Sequence, residues 1–174
     1  MRAAISALGM MTVLFSTPTW AGFDRWTAKT EDDPFSKGRR ITIDFMTSIR
    51  SGVLLICDTS EEGFLLRAVP GYAYESTLDF VDPQIEVAID GEVLFGQQGE
   101  AGSVGDNLAV LQVMLSPKNA AKFAEAFATA KKQIALRDGV SDRPYLMSTR
   151  GSTKAAQILS SCLNKQIHSS ESSE

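Results

Sequence analysis

The sequence is poor in the side chains that most often perform catalysis or bind metals. Its 174 residues include one His and two Cys, whereas protein zinc and haem sites draw mainly on these two residue types. Acid–base catalysis by histidine is also disfavoured, because the single His168 lies in a polar segment of Ser and Glu residues. We therefore predict that the protein is not an enzyme and that it holds no metal or cofactor.

Charge of either sign is not in large excess. The sequence contains 17 Lys and Arg residues and 21 Asp and Glu residues, which gives a net charge of −4. Nucleic-acid-binding proteins concentrate Lys and Arg against phosphate groups, so we predict no nucleic-acid partner. The basic pairs Arg39–Arg40 and Lys131–Lys132 are interpreted as surface charge beside strands.

Only the start of the chain carries a long uncharged hydrophobic run. Arg2, the run Ala3–Phe15, and the small residues Thr19 and Ala21 form the pattern of a secretory signal peptide over residues 1–21. A membrane anchor would need about 20 apolar residues, and this run is shorter. We predict cleavage after Ala21, export to the periplasm, and no stable membrane span in the mature protein.

Export changes the expectation for the two cysteines, because paired cysteines in an oxidising compartment usually form a disulfide. Cys57 ends the apolar run Val53–Ile56, and Cys162 lies on the apolar stripe of a predicted helix. We predict a Cys57–Cys162 bridge. The alternative is two separate buried thiols. No Cys-x-x-Cys motif is present, so a redox-active pair is disfavoured.

Alternating hydrophobic residues predict strands through most of the mature chain. Ile41, Ile43 and Phe45 alternate with polar residues, as in a half-buried strand. The predicted strands are Trp26–Lys29, Arg40–Thr47, Val53–Asp58, Phe64–Val69, Ile85–Ile89, Glu92–Phe95, Leu108–Leu115, Gln133–Asp138 and Tyr145–Ser148.

Helical spacing replaces this alternation in two segments. One helix is predicted after the capping pair Ser116–Pro117, and the other begins at Gly151–Thr153. Because strands and helices do not alternate, we predict a mainly antiparallel β-domain of the α+β class over residues 22–167, as a sandwich or twisted sheet with two helices. Residues 168–174 are predicted to form a disordered Ser/Glu tail.

Glycine recurs every third residue at Gly96, Gly99, Gly102 and Gly105. Glycine-rich backbone can hold a phosphate, but the P-loop and dinucleotide motifs need a following helix, and the P-loop also needs Lys and Ser or Thr. We therefore predict a mobile loop over residues 96–105.

Acidic residues leave two chemical alternatives. Glu31–Asp33 could contribute ligands to calcium, although a solvated turn is the preferred interpretation. The strand carboxylates Asp44, Glu86, Asp90 and Glu92 are the remaining catalytic option, as a glycosidase-like pair.

Aromatic residues suggest where a partner binds. Trp26, at the start of the mature domain, is interpreted as a core residue that closes one end of a sandwich. Tyr72 and Tyr74 follow the strand-ending pair Pro70–Gly71, and we predict that they form an exposed partner surface.

Several of these residues follow one another in a recognisable order. They are Trp26, Asp32-Asp33-Pro34-Phe35, the strand ending in Cys57, Ile89–Asp90, and the late segment Gly151–Cys162. This order resembles the small exported accessory proteins associated with bacterial type VI secretion. The resemblance implies a periplasmic, non-catalytic, β-rich partner protein with one disulfide.

The sequence departs from that family pattern at two positions. Ile56 stands where the family has Arg before Cys, and Ala88 stands where it has Arg before Ile-Asp. An interaction made by those arginines would be missing here.

Together these observations predict an exported, non-catalytic accessory protein of the cell envelope that binds an envelope protein, with a secretion system as one setting. The alternatives are an inhibitor of a lytic enzyme, since an acidic protein can bind basic enzymes through charge steering, and a small hydrolase that uses Asp or Glu.

Overall fold

The computed structural model describes residues 23–32 and 38–171, with the side chains of 167–171 left aside. The predicted signal peptide, residues 33–37 and residues 172–174 lie outside the described residues. Asp33, Pro34 and Phe35 of the acidic turn are therefore not part of the account that follows.

The described residues form ten β-strands and two α-helices. The strands are β1 Trp26–Asp32, β2 Arg39–Met46, β3 Gly52–Asp58, β4 Phe64–Val69, β5 Gln84–Ile89, β6 Glu92–Gln98, β7 Glu100–Val104, β8 Leu108–Leu115, β9 Ile134–Arg137 and β10 Tyr145–Met147. The helices are α1 Pro117–Thr129 and α2 Ser152–Glu171.

The strands build two sheets in which every pair of neighbours is antiparallel. The six-stranded sheet has the order β1-β2-β3-β4-β8-β7, and the four-stranded sheet has the order β10-β9-β5-β6. This confirms the predicted mainly antiparallel β fold with two helices.

Alternation in β2 places its apolar residues on the core side, as predicted. Ile41, Ile43 and Phe45 are buried, and the residues between them are partly exposed. The central strand β3 is buried over most of its length, which explains why its sequence is a continuous apolar run.

Aromatic side chains connect the sheet to α1. Phe64 lies 5.4 Å from Phe123 between ring centroids, and Phe123 lies 5.2 Å from Phe127. Trp26 then contacts Phe127 at 4.8 Å and Phe45 at 5.3 Å. Trp26 is buried, and its indole N–H donates to the Ser148 carbonyl at 3.0 Å, so its role as a core residue is confirmed.

Helix α2 packs against β1, β2, β3 and α1 and is joined to the sheet by the predicted Cys57–Cys162 disulfide. The side chain of Gln166 adds a second connection. Its amide nitrogen donates to the Asp58 and Gly63 carbonyls at 2.6 and 2.9 Å, and its oxygen accepts from the Gly63 N–H at 3.0 Å.

The C-terminal end of α2 differs from the sequence expectation. We expected the chain to be disordered from His168 onward, but α2 continues to Glu171. No Gly or Pro follows Gly151, and extending an existing helix by a residue costs far less than starting one.

The glycine-rich segment also differs from its prediction. Residues 96–98 end β6, and residues 100–104 form β7, an edge strand paired with β8. Gly99 lies between them, where the chain passes from the four-stranded to the six-stranded sheet. The segment is ordered because its backbone pairs with neighbouring strands, which glycine permits and hydrophobic patterning does not reveal.

Candidate partner surface

Tyr72 and Tyr74 lie in an irregular segment that runs beside the start of β8. The Tyr72 carbonyl accepts from the Ala109 N–H at 3.0 Å, and the Tyr74 N–H donates to the Asn107 carbonyl at 2.8 Å. The segment is therefore held by backbone bonds on both sides of Ala73, which itself bridges to Leu108.

The two phenol groups have different partners. Tyr72 is 41% exposed, whereas Tyr74 is partly buried and its hydroxyl is hydrogen-bonded to Asp79. That bond is the first cause of the raised pKa of Tyr74. Of the predicted pair, Tyr72 is thus the more exposed residue.

Tyr72 also interacts with a buried carboxylate, that of Asp138. The oxygens of Asp138 accept from the N–H groups of Val140 and Ser141 at 2.9 and 2.7 Å, and from the hydroxyls of Ser141 and Tyr145 at 2.6 and 3.1 Å. Burial, followed by the charge of Asp138, raises the pKa of both Tyr72 and Tyr145. Both phenols therefore stay neutral at ordinary pH.

Two exposed apolar side chains lie at the end of the six-stranded sheet. Ile49 is 87% exposed in the turn between β2 and β3, and Phe23 is 50% exposed beside β2. Phe23 forms a bridge with Met46. A β-carbon at Gly71 would lie 3.2 Å from Cβ of Ser51, so the segment after β4 touches the same turn.

These segments enclose a shallow groove of about 610 Å³. We call Phe23, Ile49 and Pro70, which line this groove, together with Tyr72, two residues further along the chain, the sheet-end surface. Phe23 and Ile49 are the large apolar residues of the groove, and the rest of its lining includes the polar residues Thr47, Ser48, Arg50 and Ser51. Exposed apolar side chains grouped at one place mark interaction sites more often than scattered single residues do. Sequence reasoning singled out Tyr72 but missed Phe23 and Ile49.

Hydrogen bonds within the turn hold Ile49 in place. The Thr47 N–H donates to the Ser51 carbonyl at 3.0 Å, and the Ser51 N–H donates to the Ser48 hydroxyl at 3.0 Å. The Ser48 and Ser51 hydroxyls lie 2.7 Å apart. Because these bonds already fix the backbone of the turn, binding requires little further ordering of the main chain that carries Ile49.

The four candidate catalytic carboxylates have different surroundings and different hydrogen-bond partners. Asp44 accepts from the Thr27 hydroxyl at 2.7 Å, Glu86 pairs with Arg137 at 2.8 Å, and Glu92 is exposed. Asp90 accepts backbone N–H bonds from Lys131, Lys132 and Gln133 at 2.6 to 3.0 Å.

Hydrogen bonding from these three amides lowers the pKa of Asp90. A glycosidase-type general acid needs the opposite shift, because it must hold its proton near neutral pH. Asp90 is therefore suited to holding the segment between α1 and β9 in place through these hydrogen bonds rather than to donating a proton.

The acidic segment at the end of β1 is engaged in ion pairs. Lys29 contacts Glu31 at 2.7 Å, and Arg39 contacts Asp32 at 3.0 Å across the β1–β2 pair. Among residues 23–32 and 38–171, no group of three or more His, Cys, Asp or Glu side chains is arranged to hold a metal ion.

Comparison with models of protein families, with curated proteins and with solved structures found no match. The resemblance to secretion accessory proteins therefore stays a prediction made from the sequence.

Proposed function

We propose that this chain is an exported, non-catalytic accessory protein of the cell envelope that binds a protein partner through the sheet-end surface. The observation that carries the proposal is Ile49, which is 87% exposed on a hydrogen-bonded turn and lines the same groove as the half-exposed Phe23. Burying a large aliphatic or aromatic side chain stabilises by roughly 1.5–3 kcal/mol, so covering both would contribute to the free energy of binding.

The disulfide supports the cellular setting. Cys57 and Cys162 are joined within the core, and such bridges form and persist mainly in oxidising compartments such as the periplasm. In the part of the chain that the structure describes, no helix combines the length and hydrophobicity needed to cross a bilayer.

The two departures from the secretion-family pattern bear on where a partner binds. Ile56 is almost fully buried in β3, and Ala88 is partly buried in β5. Contacts through exposed arginines at these positions are not open to this chain. We therefore assign partner binding to the sheet-end surface, whether or not the partner belongs to a secretion system.

Localisation is tested first. The full chain is expressed in a Gram-negative host, and the fractions are examined by mass spectrometry with and without reduction before thiol alkylation. We expect a periplasmic protein that begins at Gly22 and whose two cysteines react only after reduction. A cytosolic precursor with both thiols reactive would overturn the proposal.

Partner binding is tested by photo-crosslinking from single positions. A photo-reactive residue at position 49 should capture one envelope protein, and Ile49→Asp should abolish recovery of that complex. Val93, which is 71% exposed on β6 of the other sheet, is the matched control position. Equal capture from positions 49 and 93, or an unchanged complex with Ile49→Asp, would contradict the assignment.

The two alternative functions, inhibitor and hydrolase, are tested with the purified protein. Purified protein that protects cell walls from lysozyme would identify an inhibitor of lytic enzymes. Cleavage of peptidoglycan that Asp44→Asn or Glu86→Gln abolishes would identify a hydrolase.

A further inference from the structure

A second depression lies on the helical side of the molecule, between α1 and α2. Its volume is about 380 Å³, within the range of about 300–1,000 Å³ typical of ligand sites. Pro117 and Ala121 of α1 form one apolar wall, and Leu163 of α2 lies opposite. We call this depression the helix groove.

The helix groove is a fixed part of the fold. On α1 the lining residues are mostly small, so the two helices leave space between them at this end. Gly63, which lines the groove, donates its N–H to the Gln166 side-chain oxygen and accepts at its carbonyl from the Gln166 amide nitrogen, and α2 is fastened to β3 by the nearby disulfide. Because the groove is already formed, binding does not include a free-energy cost for ordering it.

The charged residues that line this groove are both acidic. Glu62 comes from the turn before β4, and Glu125 comes from α1. Both are exposed, and neither forms an ion pair with another described residue. A ligand that complements this groove therefore carries a positive charge on an otherwise apolar structure.

The depression continues along the seam between the helices. A second hollow of about 460 Å³ shares Ser160 and Asn164 with the first and extends past Ala128 and Ala156. Lys165 lines this second hollow, so the acidic character belongs to the end of the depression at Glu62 and Glu125. The distance along α1 from Pro117 to Ala128 is about 16 Å at 1.5 Å per residue. An elongated shape fits a linear polypeptide segment better than a compact molecule.

We propose that the helix groove binds a basic linear segment of a partner protein. Apolar side chains of that segment lie between α1 and α2, and a Lys or Arg side chain meets Glu62 and Glu125. This site is separate from the sheet-end surface, so the two proposals can fail independently.

The test uses two labelled synthetic peptides of ten residues and fluorescence anisotropy with the disulfide-bonded mature protein. One peptide combines Leu and Ala with Lys, and the other carries Glu at the Lys positions. We expect the Lys peptide to bind and the Glu peptide not to bind. Affinity for the Lys peptide should fall as salt rises, because exposed charges are screened.

Variants locate the binding. Glu62→Lys/Glu125→Lys should weaken binding of the Lys peptide roughly tenfold or more, and Ala121→Trp, which fills the groove, should do the same. For the charge change, the control is Glu92→Lys, an exposed acid on β6, which should leave affinity within about twofold. Ile49→Asp should also have no effect.

Three results would overturn the proposal. They are absence of Lys-peptide binding to the wild type at about millimolar concentration, equal binding of both peptides, and equal weakening by Glu92→Lys. A wild-type dimer that Ala121→Trp dissociates would assign the groove to a second copy of the chain instead. Unchanged circular dichroism for Glu62→Lys/Glu125→Lys shows that its effect is on binding rather than folding.

Discussion

At the scale of single residues, Asp90 shows how one side chain can connect distant segments. Its backbone has φ 55° and that of Gly91 has φ 94°, the left-handed values that a tight hairpin turn requires. Its carboxylate meanwhile accepts the N–H groups of residues 131–133, between α1 and β9. The Asp-Gly pattern predicts the hairpin, but the second role requires the fold.

Replacing Asp90 by Asn should reveal a pH-dependent contribution to stability. Asn tolerates the left-handed conformation and keeps an acceptor oxygen, but it cannot ionise. The pKa of Asp90 in the folded protein is lowered from its ordinary 3.8, so its stabilisation is present above that pH and is lost as pH falls through the folded-state pKa. Urea midpoints should favour the wild type at neutral pH, and the difference should shrink below pH 3.8.

The control for this prediction is Glu92→Gln, which removes an exposed carboxylate from the same hairpin. Its difference from the wild type should stay small and should not show the same decrease in acid. If the Asp90→Asn difference is the same at neutral and acidic pH, the carboxylate does not act through its charge.

At the scale of elements, the passage from β6 to β7 joins the two sheets. The Gly99 N–H donates to the Pro83 carbonyl at 2.9 Å. A β-carbon at Gly99 would clash with the Gln112 carbonyl and would lie 2.9 Å from Cδ1 of Ile85. The chain can change sheets here because no side chain separates these backbones.

Alanine substitutions in this segment should therefore differ sharply. Gly99→Ala should lower the free energy of unfolding by about 1–3 kcal/mol through overpacking. Gly102→Ala is the matched control, because its β-carbon would meet Val110 at an ordinary 3.6 Å, and it should change stability by less than about 0.5 kcal/mol. Urea unfolding of both variants checks this, and equal effects would contradict the steric argument.

The elements that could be predicted from the sequence are those in which the spacing of hydrophobic residues shows which side is buried. β4 and β8 begin and end at the predicted residues, and α1 begins after Ser116, whose hydroxyl accepts from the Asn119 N–H. The short 3-10 helix Ser76–Phe80 has no buried residue, so it could not be predicted from periodic spacing of hydrophobic residues. The glycine-rich strand β7 was missed for a similar reason.

The candidate site was less predictable than the fold. The loop position of Tyr72 follows from Pro70–Gly71, but its contact with the Asp138 turn depends on residues far apart in sequence. Ile49 reads as one more apolar residue near a strand, and only the packing of the whole sheet shows that nothing in the described residues covers it.

At the scale of the whole molecule, the disulfide joins the last helix to the middle of the large sheet across 105 residues of sequence. Cross-linking a loop of this size restricts the unfolded chain strongly. The aromatic cluster of Trp26, Phe45, Phe64, Phe123 and Phe127 supplies a core that does not depend on the bridge.

The variant Cys57→Ala/Cys162→Ala should remain folded but lose up to about 4 kcal/mol of stability. Urea unfolding monitored by tryptophan fluorescence measures the loss. The wild type in reducing agent is the control, and it should lose a similar amount. An unchanged midpoint after full reduction would show that the bridge contributes little.

The position of the bridge also has a consequence for the order of events during translocation. If the chain is exported as proposed, Cys57 meets oxidant while its partner, 105 residues behind, has yet to emerge. The sequence holds only these two cysteines, so no incorrect intramolecular crosslink can form in the interval. Cys57 must wait as a thiol or as a mixed disulfide with an oxidase, and closure is delayed until the final helix arrives.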